Sequence, residues 1–212
     1  MKISYAITVC NEVEEIKKLI SFLLKHKREE DEIIVQQDCN GLESLKEEKK
    51  EIFLYLDEQV ELGNLSFTFS PLNNHFANFK NNLNSYCTGD YIFQIDADEL
   101  PNQTLIETLP DILSTNSIDL LWVPRINTVE GLTQEHIQKW RWRVDQNGWV
   151  NFPDFQSRIY KNSPEIKWVN KVHEKVVGVK EFAYLPQQEE YCLYHPKDIK
   201  RQEKQNRFYS EI

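Results

Sequence analysis

The segment that most restricts how this chain folds is Tyr91-Ile-Phe-Gln-Ile95, which runs directly into Asp96-Ala-Asp98-Glu99. A short run of aromatic and β-branched residues reads as a buried strand rather than a helix. Its carboxyl end meets acids at once, and ligands in open α/β sheets gather at the carboxyl ends of strands. In extended backbone, positions 96 and 98 fall on the same side. Two carboxylates there can hold a hard divalent cation and leave positions open for phosphate oxygens. The plain alternative is a pair of solvated acids opening a loop, and an isolated D-x-D does not separate the two.

The upstream pattern supports a sheet. Ile3 to Val9 reads as a buried strand ending at Thr8-Val9-Cys10-Asn11-Glu12. Val13, Ile16, Leu19, Ile20, Leu23 and Leu24 then recur at helical spacing. Asn11 is the expected cap, and Glu12, Glu14 and Glu15 suit the helix's positive end. Glu32-Ile-Ile-Val35 stops at Gln36-Gln37-Asp38, completing strand, helix, strand, the opening of a parallel α/β sheet. Leu42 to about Leu56 reads as a charged helix and Ser66 to Ser70 as a strand. Phe76, Phe79, Leu83, Tyr86 and Cys87 form a helical stripe, closed by Gly89 in a left-handed position. Pro101 suits the first turn of a helix carried by Leu105, Leu109, Ile112 and Leu113.

Past a strand at Ile118 to Val123 the helical periodicity fades. Short strands are expected at Phe155 to Tyr160, Ile166 to Val169, Lys175 to Val179 and Tyr191 to Tyr194, then a basic terminal helix from Lys197 to Arg207. The 212 residues read as one domain, with a nucleotide-binding half over about 1–124 and an irregular acceptor half over about 125–212. The formal charge of −9 argues against a protein that blankets phosphate backbones. Cys10, Cys39, Cys87 and Cys192 contain no C-x-x-C pair and read as reduced thiols. There is no bilayer-length apolar run and no signal-peptide pattern, so the expected location is the cytoplasm, or a host's cytoplasm for a virus-encoded chain.

With Thr-Gly-Asp-Tyr-Ile-Phe-Gln-Ile-Asp-Ala-Asp-Glu99 preceded by Phe76-Ala-Asn-Phe-Lys-Asn-Asn, the chain resembles family 2 glycosyltransferases of the GT-A fold. Within that family it is similar to small enzymes of the lipopolysaccharide-core and prophage type. The opening Ile-Thr-Val-Cys-Asn-Glu12, the segment Pro153-Asp-Phe-Gln-Ser-Arg-Ile-Tyr160, Ile166-Lys-Trp and Asn170-Lys-Val-His-Glu174 follow in the family's order, so the likeness spans about 3 to 210. It implies a Rossmann-like, mainly parallel mixed sheet flanked by helices. It also implies transfer of a sugar from a nucleotide-diphosphate donor, a UDP-sugar favoured, to an acceptor hydroxyl with inversion. Thr8 and Asp38 match positions that hold the base, with Asn11 and Glu12 on the same loop. Lys80 matches a diphosphate contact, and Asp96 a contact to the ribose or the metal's water shell. Asp98 matches the metal ligand, and His195 the histidine that completes coordination of Mn²⁺ or Mg²⁺. Glu174 falls at the catalytic base, in a Val-His-Glu variant of the usual Glu-Asp pair, with His173 a donor to phosphate or acceptor.

The chemistry needs these residue types. Cleaving the anomeric carbon–phosphate bond develops charge on the departing diphosphate, which a cation and a lysine stabilise. A carboxylate takes the proton of the acceptor hydroxyl. If extended, His173 and Glu174 would face opposite ways. On the acceptor side, Lys139-Trp-Arg-Trp-Arg143 read as a strand sets its cations on one face and its indoles on the other. That pattern fits buried indoles with solvated charges, or an acceptor platform of Trp140 and Arg141 with Trp149, Asp154 and Arg158 in the same cleft. The acceptor classes are a glycan, a lipid-linked glycan, a protein or modified DNA. The competing function is a nucleotide-sugar or carbohydrate-binding module without catalysis. Nucleotidyl transfer ranks lower, because no glycine-rich phosphate loop opens the chain.

Overall fold

Side chains along the first strand alternate between two different environments. In a computed structural model that describes residues 1–40 and 47–210, β1 (Ile3–Val9) turns Ile3, Tyr5, Ile7 and Val9 into one core and Ala6 into another. Both β2 (Glu32–Asp38) and β4 (Tyr91–Asp96) repeat the division. Ile33, Val35, Tyr91, Phe93 and Ile95 share the first core, and Ile34 and Ile92 the second. Completing this edge, β3 (Ser66–Ser70) lies parallel to β2. Pairing of β1 with both β2 and β4 is parallel, and Thr8 lies level with Gln36 on one side and Asp96 on the other. That register brings the strand ends carrying Thr8, Asp38 and Asp96 to one rim of the sheet.

The first core is closed by α1 (Val13–His26), α2 (Glu47–Glu61) and α4 (Gln103–Thr115), whose apolar stripes include Ile16, Leu19, Ile20, Ile52, Leu56, Leu105 and Leu109. The second face carries α3 (Phe76–Asn84), which buries Ala77 and Leu83 with Tyr160 and Trp168. Here polar bonds supplement packing. Gln36 donates to the Phe79 carbonyl at 2.7 Å and accepts from Asn82 at 2.6 Å. Asn81 exchanges two bonds with the Trp168 backbone, and the Trp168 indole donates to Tyr160 Oη at 2.8 Å.

The later chain joins the same sheet. Antiparallel to both its neighbours, β7 (Val150–Lys161) lies between β4 and β6 (Leu120–Glu130). On the far side of β6, β11 (Leu193–Asp198) and β10 (Phe182–Tyr184) run parallel to it. The two-residue β5 (Leu100–Pro101) closes the far edge against β11. A separate hairpin pairs β8 (Lys167–Val169) with β9 (Lys175–Val177). Two further helices follow, α5 (Gln134–Trp140) and α6 (Ile199–Ser210). The sheet is therefore mixed and mainly parallel, flanked by helices. All four cysteines are free, and no described helix is long and apolar enough to cross a membrane.

Several local expectations are corrected. The cap position of α1 is Glu12, not Asn11; its side chain folds back to accept from the Cys10 and Asn11 N–H groups at 2.8 and 2.9 Å. Pro101 belongs to β5, and Asn102 caps α4 through the Thr104 N–H. Lys139 to Arg143 is not a strand: Lys139 and Trp140 end α5 and Arg141 is left-handed at φ 56°. The two indoles therefore meet, with Trp140 and Trp142 centroids 4.6 Å apart. Tyr191 ends a 3-10 turn, and the strand begins at Leu193. The expected helix over Leu42 to Leu56 is described only from Glu47, and its first residues lie outside the described ones. Gly89 is not left-handed. A Cβ there would lie 2.7 Å from both the amide nitrogen and the Oγ of Ser4, so glycine is required by close approach.

Glu32 ties the starts of β1 and β4 together, accepting from Lys2 Nζ at 2.6 Å, Ser4 Oγ at 2.5 Å and the Thr88 N–H at 2.7 Å. Burial works to raise its pKa, but the Lys2, Ser4 and Thr88 bonds prevail and bring it down to about 2. A carboxyl held below its unfolded value stabilises the fold above that value and loses the contribution as pH falls through the folded one. Replacing Glu32 with Gln is expected to lower stability at pH 7. The gap to the parent should close between about pH 4.3, the unfolded glutamate value, and strongly acid solution in urea titrations. Gly89→Ala should cost about 1–3 kcal/mol by overpacking against β1, read from the same titrations.

Candidate active site

The rim formed by the ends of β1, β2 and β4 opens into a cleft of about 570 Å³, within the usual range for small-molecule sites. Its central acid, Asp96, is held from three directions. Thr8 Oγ1 donates to Oδ1 at 2.9 Å, Lys80 Nζ stands 3.7 Å from the same oxygen, and Arg158 Nη2 bonds Oδ2. Burial alone would raise the Asp96 pKa, but Arg158 and Lys80 hold it far below the ordinary carboxylate range. Alternation explains the geometry: Gln94 and Asp96 leave β4 on the α3 face, where Lys80 projects from α3.

Behind Asp96 lies a chain of alternating charges. Glu99 is only 1% exposed and accepts from Arg158 Nη2 at 2.6 Å and Arg125 Nη1 at 2.8 Å. Arg125 also bonds Asp154 Oδ2 through Nε and Nη2, at 3.0 and 2.6 Å. Asn127 donates to that same oxygen at 2.9 Å. A carboxylate only accepts, so Asn127 presents its amide N–H₂ to Asp154 and its oxygen to His195 Nδ1, 2.7 Å away. His195 Nε2 then faces Asp98 Oδ2 at 3.2 Å. Asp98 is held at a pKa of about 2: burial opposes ionisation, and the His195 and Arg201 contacts overcome it. Burial pushes the His195 imidazole below its usual value, more than Asp98 raises it.

Lys80 is 3% exposed, donates to Glu174 Oε1 at 2.7 Å and sits 4.6 Å over the Trp168 ring. The backbone between His173 and Glu174 is not extended: His173 adopts φ 51°. This turn brings both side chains to the cleft, where an extended segment would have divided them. At the opposite end Asp38 is fully engaged, accepting from the Asn40 and Leu72 N–H groups at 3.0 and 2.9 Å and from Lys49 Nζ at 2.9 Å. It organises the loop around it, as Glu12 does for Cys10 and Asn11.

The cleft thus brings together Thr8, Glu12, Asp38, Lys80, Asp96, Asp98, Arg158, His173, Glu174 and His195. Asn11 lines a neighbouring shallow groove instead. Trp140, Arg141, Trp149 and Asp154 do not line the cleft, and Arg158 does so with its guanidinium already bonded to Asp96 and Glu99. The aromatic residues lining it are Phe76, Phe79, Trp142 and Trp168. Sequence reasoning assigned no role to Glu99, Arg125, Asn127, Gln156, Trp168 or Arg201. The available signal was a charge interrupting an apolar strand, as Arg125 does in β6, since such a charge must find a partner.

Glu99→Gln removes the charge that the buried Arg158 and the half-buried Arg125 guanidinium groups share. Breaking a buried ion pair from one side costs about 3–5 kcal/mol, so urea titration should show a loss of that order.

The sequence of residues 4–172 matches the model of glycosyl transferase family 2. No curated protein matches significantly. Among solved structures, S. aureus TarS 1-349 superposes with a TM-score of 0.64 at 14% identity, covering 92% of this chain and 60% of that one. The same protein in complex with UDP-GlcNAc gives 0.62 at 15% identity, with 93% and 59% covered. Its complex with UDP gives 0.61 at 16%, with 92% and 60% covered. The chain therefore spans about three fifths of the length of these structures. At such identities the likeness establishes a shared GT-A fold, and the match over residues 4–172 places the chain in glycosyl transferase family 2.

Proposed function

We propose that this protein is a metal-dependent, inverting glycosyltransferase that moves a sugar from a nucleotide-diphosphate donor, a UDP-sugar by preference, to an acceptor hydroxyl. The observation that carries the proposal is the convergence of Asp98, His195, Lys80 and Glu174 on one cleft at the carboxyl ends of β1 and β4. Family membership supports glycosyl transfer, and the TarS complexes with UDP-GlcNAc and UDP support the choice of nucleotide.

The donor set suits a divalent cation. With Nδ1 committed as donor to the Asn127 oxygen, His195 turns Nε2 toward Asp98 Oδ2. The two atoms are 3.2 Å apart, a gap that a proton on Nε2 or a metal ion can join. A carboxylate oxygen and an imidazole nitrogen suit Mn²⁺ or Mg²⁺, though among the described residues they belong to no cluster of three such ligands. Asp98 and His195 would hold Mn²⁺ or Mg²⁺, and the ion would supply electrostatic stabilisation of the leaving diphosphate.

The chain's own residues supply the rest. Thr8, Asp38, Glu12 and Asn11 shape the loop end for the nucleoside. Asp96, fixed by Thr8 and Arg158, faces the ribose or the metal's water shell. Lys80 places an ammonium beside the diphosphate, its stem and charge steadied by the Trp168 face. Glu174 takes the proton of the acceptor hydroxyl as the new glycosidic bond forms, and His173 at the rim donates to phosphate or acceptor. One base acting in a direct displacement inverts the anomeric centre. The acceptor enters from the side of Trp142, Asn151 and Trp168. A glycan or lipid-linked glycan fits that aromatic wall better than a nucleic acid fits a chain of net charge −9.

The test combines a donor screen with one variant. Thermal unfolding with UDP-, GDP-, CMP- and dTDP-sugars, each with and without Mn²⁺, should show a metal-dependent rise for one nucleotide class. Glu174→Gln should bind that donor within about twofold of the parent, yet lose at least about 100-fold in kcat. No shift with any donor in folded protein defeats the donor site. Near-normal turnover of Glu174→Gln defeats the base assignment.

A further inference from the structure

We propose that Arg201 is a built-in competitor of the divalent cation, so that loading the site draws Arg201 off Asp98 and removes one of the three carboxylate ties that hold the C-terminal helix. The inference rests on the metal reading above. Its ground is a shared atom: Asp98 Oδ2 takes both His195 Nε2 and Arg201 Nη2, each at 3.2 Å. The same Nη2 bonds Glu12 Oε1 at 3.1 Å, and Nη1 bonds Glu15 Oε1 at 2.8 Å. Arg201 thus joins α6 to the start of α1, to the loop that lines the donor end of the cleft, and to the acid nearest His195.

A guanidinium only donates and does not lose its proton in water, so it yields the carboxylate by moving, not by titrating. A cation that takes Asp98 Oδ2 as a ligand displaces Nη2 by charge and by the loss of its acceptor. The ion pairs favour exchange: Glu12, Glu15 and Asp98 all face one guanidinium, so Arg201 keeps carboxylate partners when Asp98 turns to another cation. The Glu15 bond gives Arg201 a place to stay, since Nη1 makes it independently of Asp98. Position in the chain makes the coupling direct. α6 begins at Ile199, directly after β11, which carries His195, and the Arg201 N–H is capped by Asp198 Oδ1 at 2.9 Å. By linkage, whatever Arg201 takes from the affinity of the metal, the metal takes from the attachment of α6.

Mn²⁺ binding by calorimetry at saturating UDP, with fold confirmed by circular dichroism, tests this on the full chain. Arg201→Gln should bind Mn²⁺ about tenfold more tightly than the parent, the size of an ordinary site-to-site coupling. Arg201→Lys keeps the charge without the fork that spans Glu12, Glu15 and Asp98, and should fall between the two. In the parent, amide exchange across α6 should quicken on adding Mn²⁺ and UDP; in Arg201→Gln it should already be fast and change little. If both variants bind Mn²⁺ as the parent does, or more weakly, Arg201 does not compete, while the Asp98–His195 site stands. If neither the parent nor any variant binds Mn²⁺, the metal site falls and this proposal with it.

Discussion

A carboxylate with almost no exposure, Glu99, sits between two guanidinium groups, and most of the cleft is arranged around that contact. Followed outward, the bonds form a chain. Asp96 meets Arg158, Arg158 meets Glu99, Glu99 meets Arg125, and Arg125 meets Asp154. Asp154 then meets Asn127, Asn127 meets His195, and His195 meets Asp98, two residues beyond Asp96. The chain runs through β4, β7, β6 and β11 of one sheet and through the turn after β4, which carries Asp98 and Glu99. Charges taken from water are expensive and are tolerated where each finds opposite charge and hydrogen bonds. Here they do, with the Arg158 Nε the one guanidinium nitrogen of the pair left unpartnered in the interior.

This arrangement divides the sheet's labour. The face under α1, α2 and α4 is an ordinary apolar core, in which Ile, Leu, Val and aromatic side chains interdigitate. The face toward α3 and β8 is stitched by Gln36, Asn81, Asn82, Trp168 and Tyr160. Polar bonds tolerate less displacement than apolar contact does, because a buried donor left unmade pays its full desolvation cost. The face that holds Lys80 and Asp96 is therefore the one whose side chains have the fewest alternative positions. Stability comes mainly from one side of the sheet and positional accuracy from the other.

How much of this was legible in the sequence follows the same division. Period-2 and period-3.6 patterns over Ile3 to Leu24 and over Tyr91 to Asp96 reveal strands and helices, because those elements bury one face or both. α5 has no buried residue. Its stability comes from a capping box between Thr133 and His136, so no apolar stripe announced it. The start of β7 was hidden for a related reason: residues 151–157 are only half-buried and include Asn151, Pro153 and Asp154. Asp96, Asp98, Lys80, Glu174 and His195 were legible through their order along the chain. The partners of Arg158 and Arg125 were not, since Glu99 lies 59 and 26 residues away and only the sheet topology makes them neighbours. The left-handed turn at His173 was likewise invisible, because a histidine carries no glycine-like signal for positive φ.

The charge pattern also explains how an acidic protein gathers cations in one cleft. Net charge governs the far field and solubility, whereas affinity at a cleft depends on groups within a Debye length of about 8 Å. Inside the cleft Lys80, Arg125, Arg158 and Lys197 stand beside Asp96, Asp98, Glu174 and His195. Two of these cations bond carboxylates of the cleft: Lys80 bonds Glu174, and Arg158 bonds Asp96. Of the two, Arg158 is also bonded to the enclosed Glu99 and cannot turn outward without stranding it. Lys80 is different. Its ammonium stands between Glu174 and Asp96 with the Trp168 ring on one side, and neither carboxylate is enclosed as Glu99 is between the two arginines. In the proposed donor site, a diphosphate beside Lys80 would compete with Glu174 for one ammonium. Lys80, carried by α3 and packed on Trp168, is therefore a cation of the cleft that can exchange its partner without stranding an enclosed carboxylate.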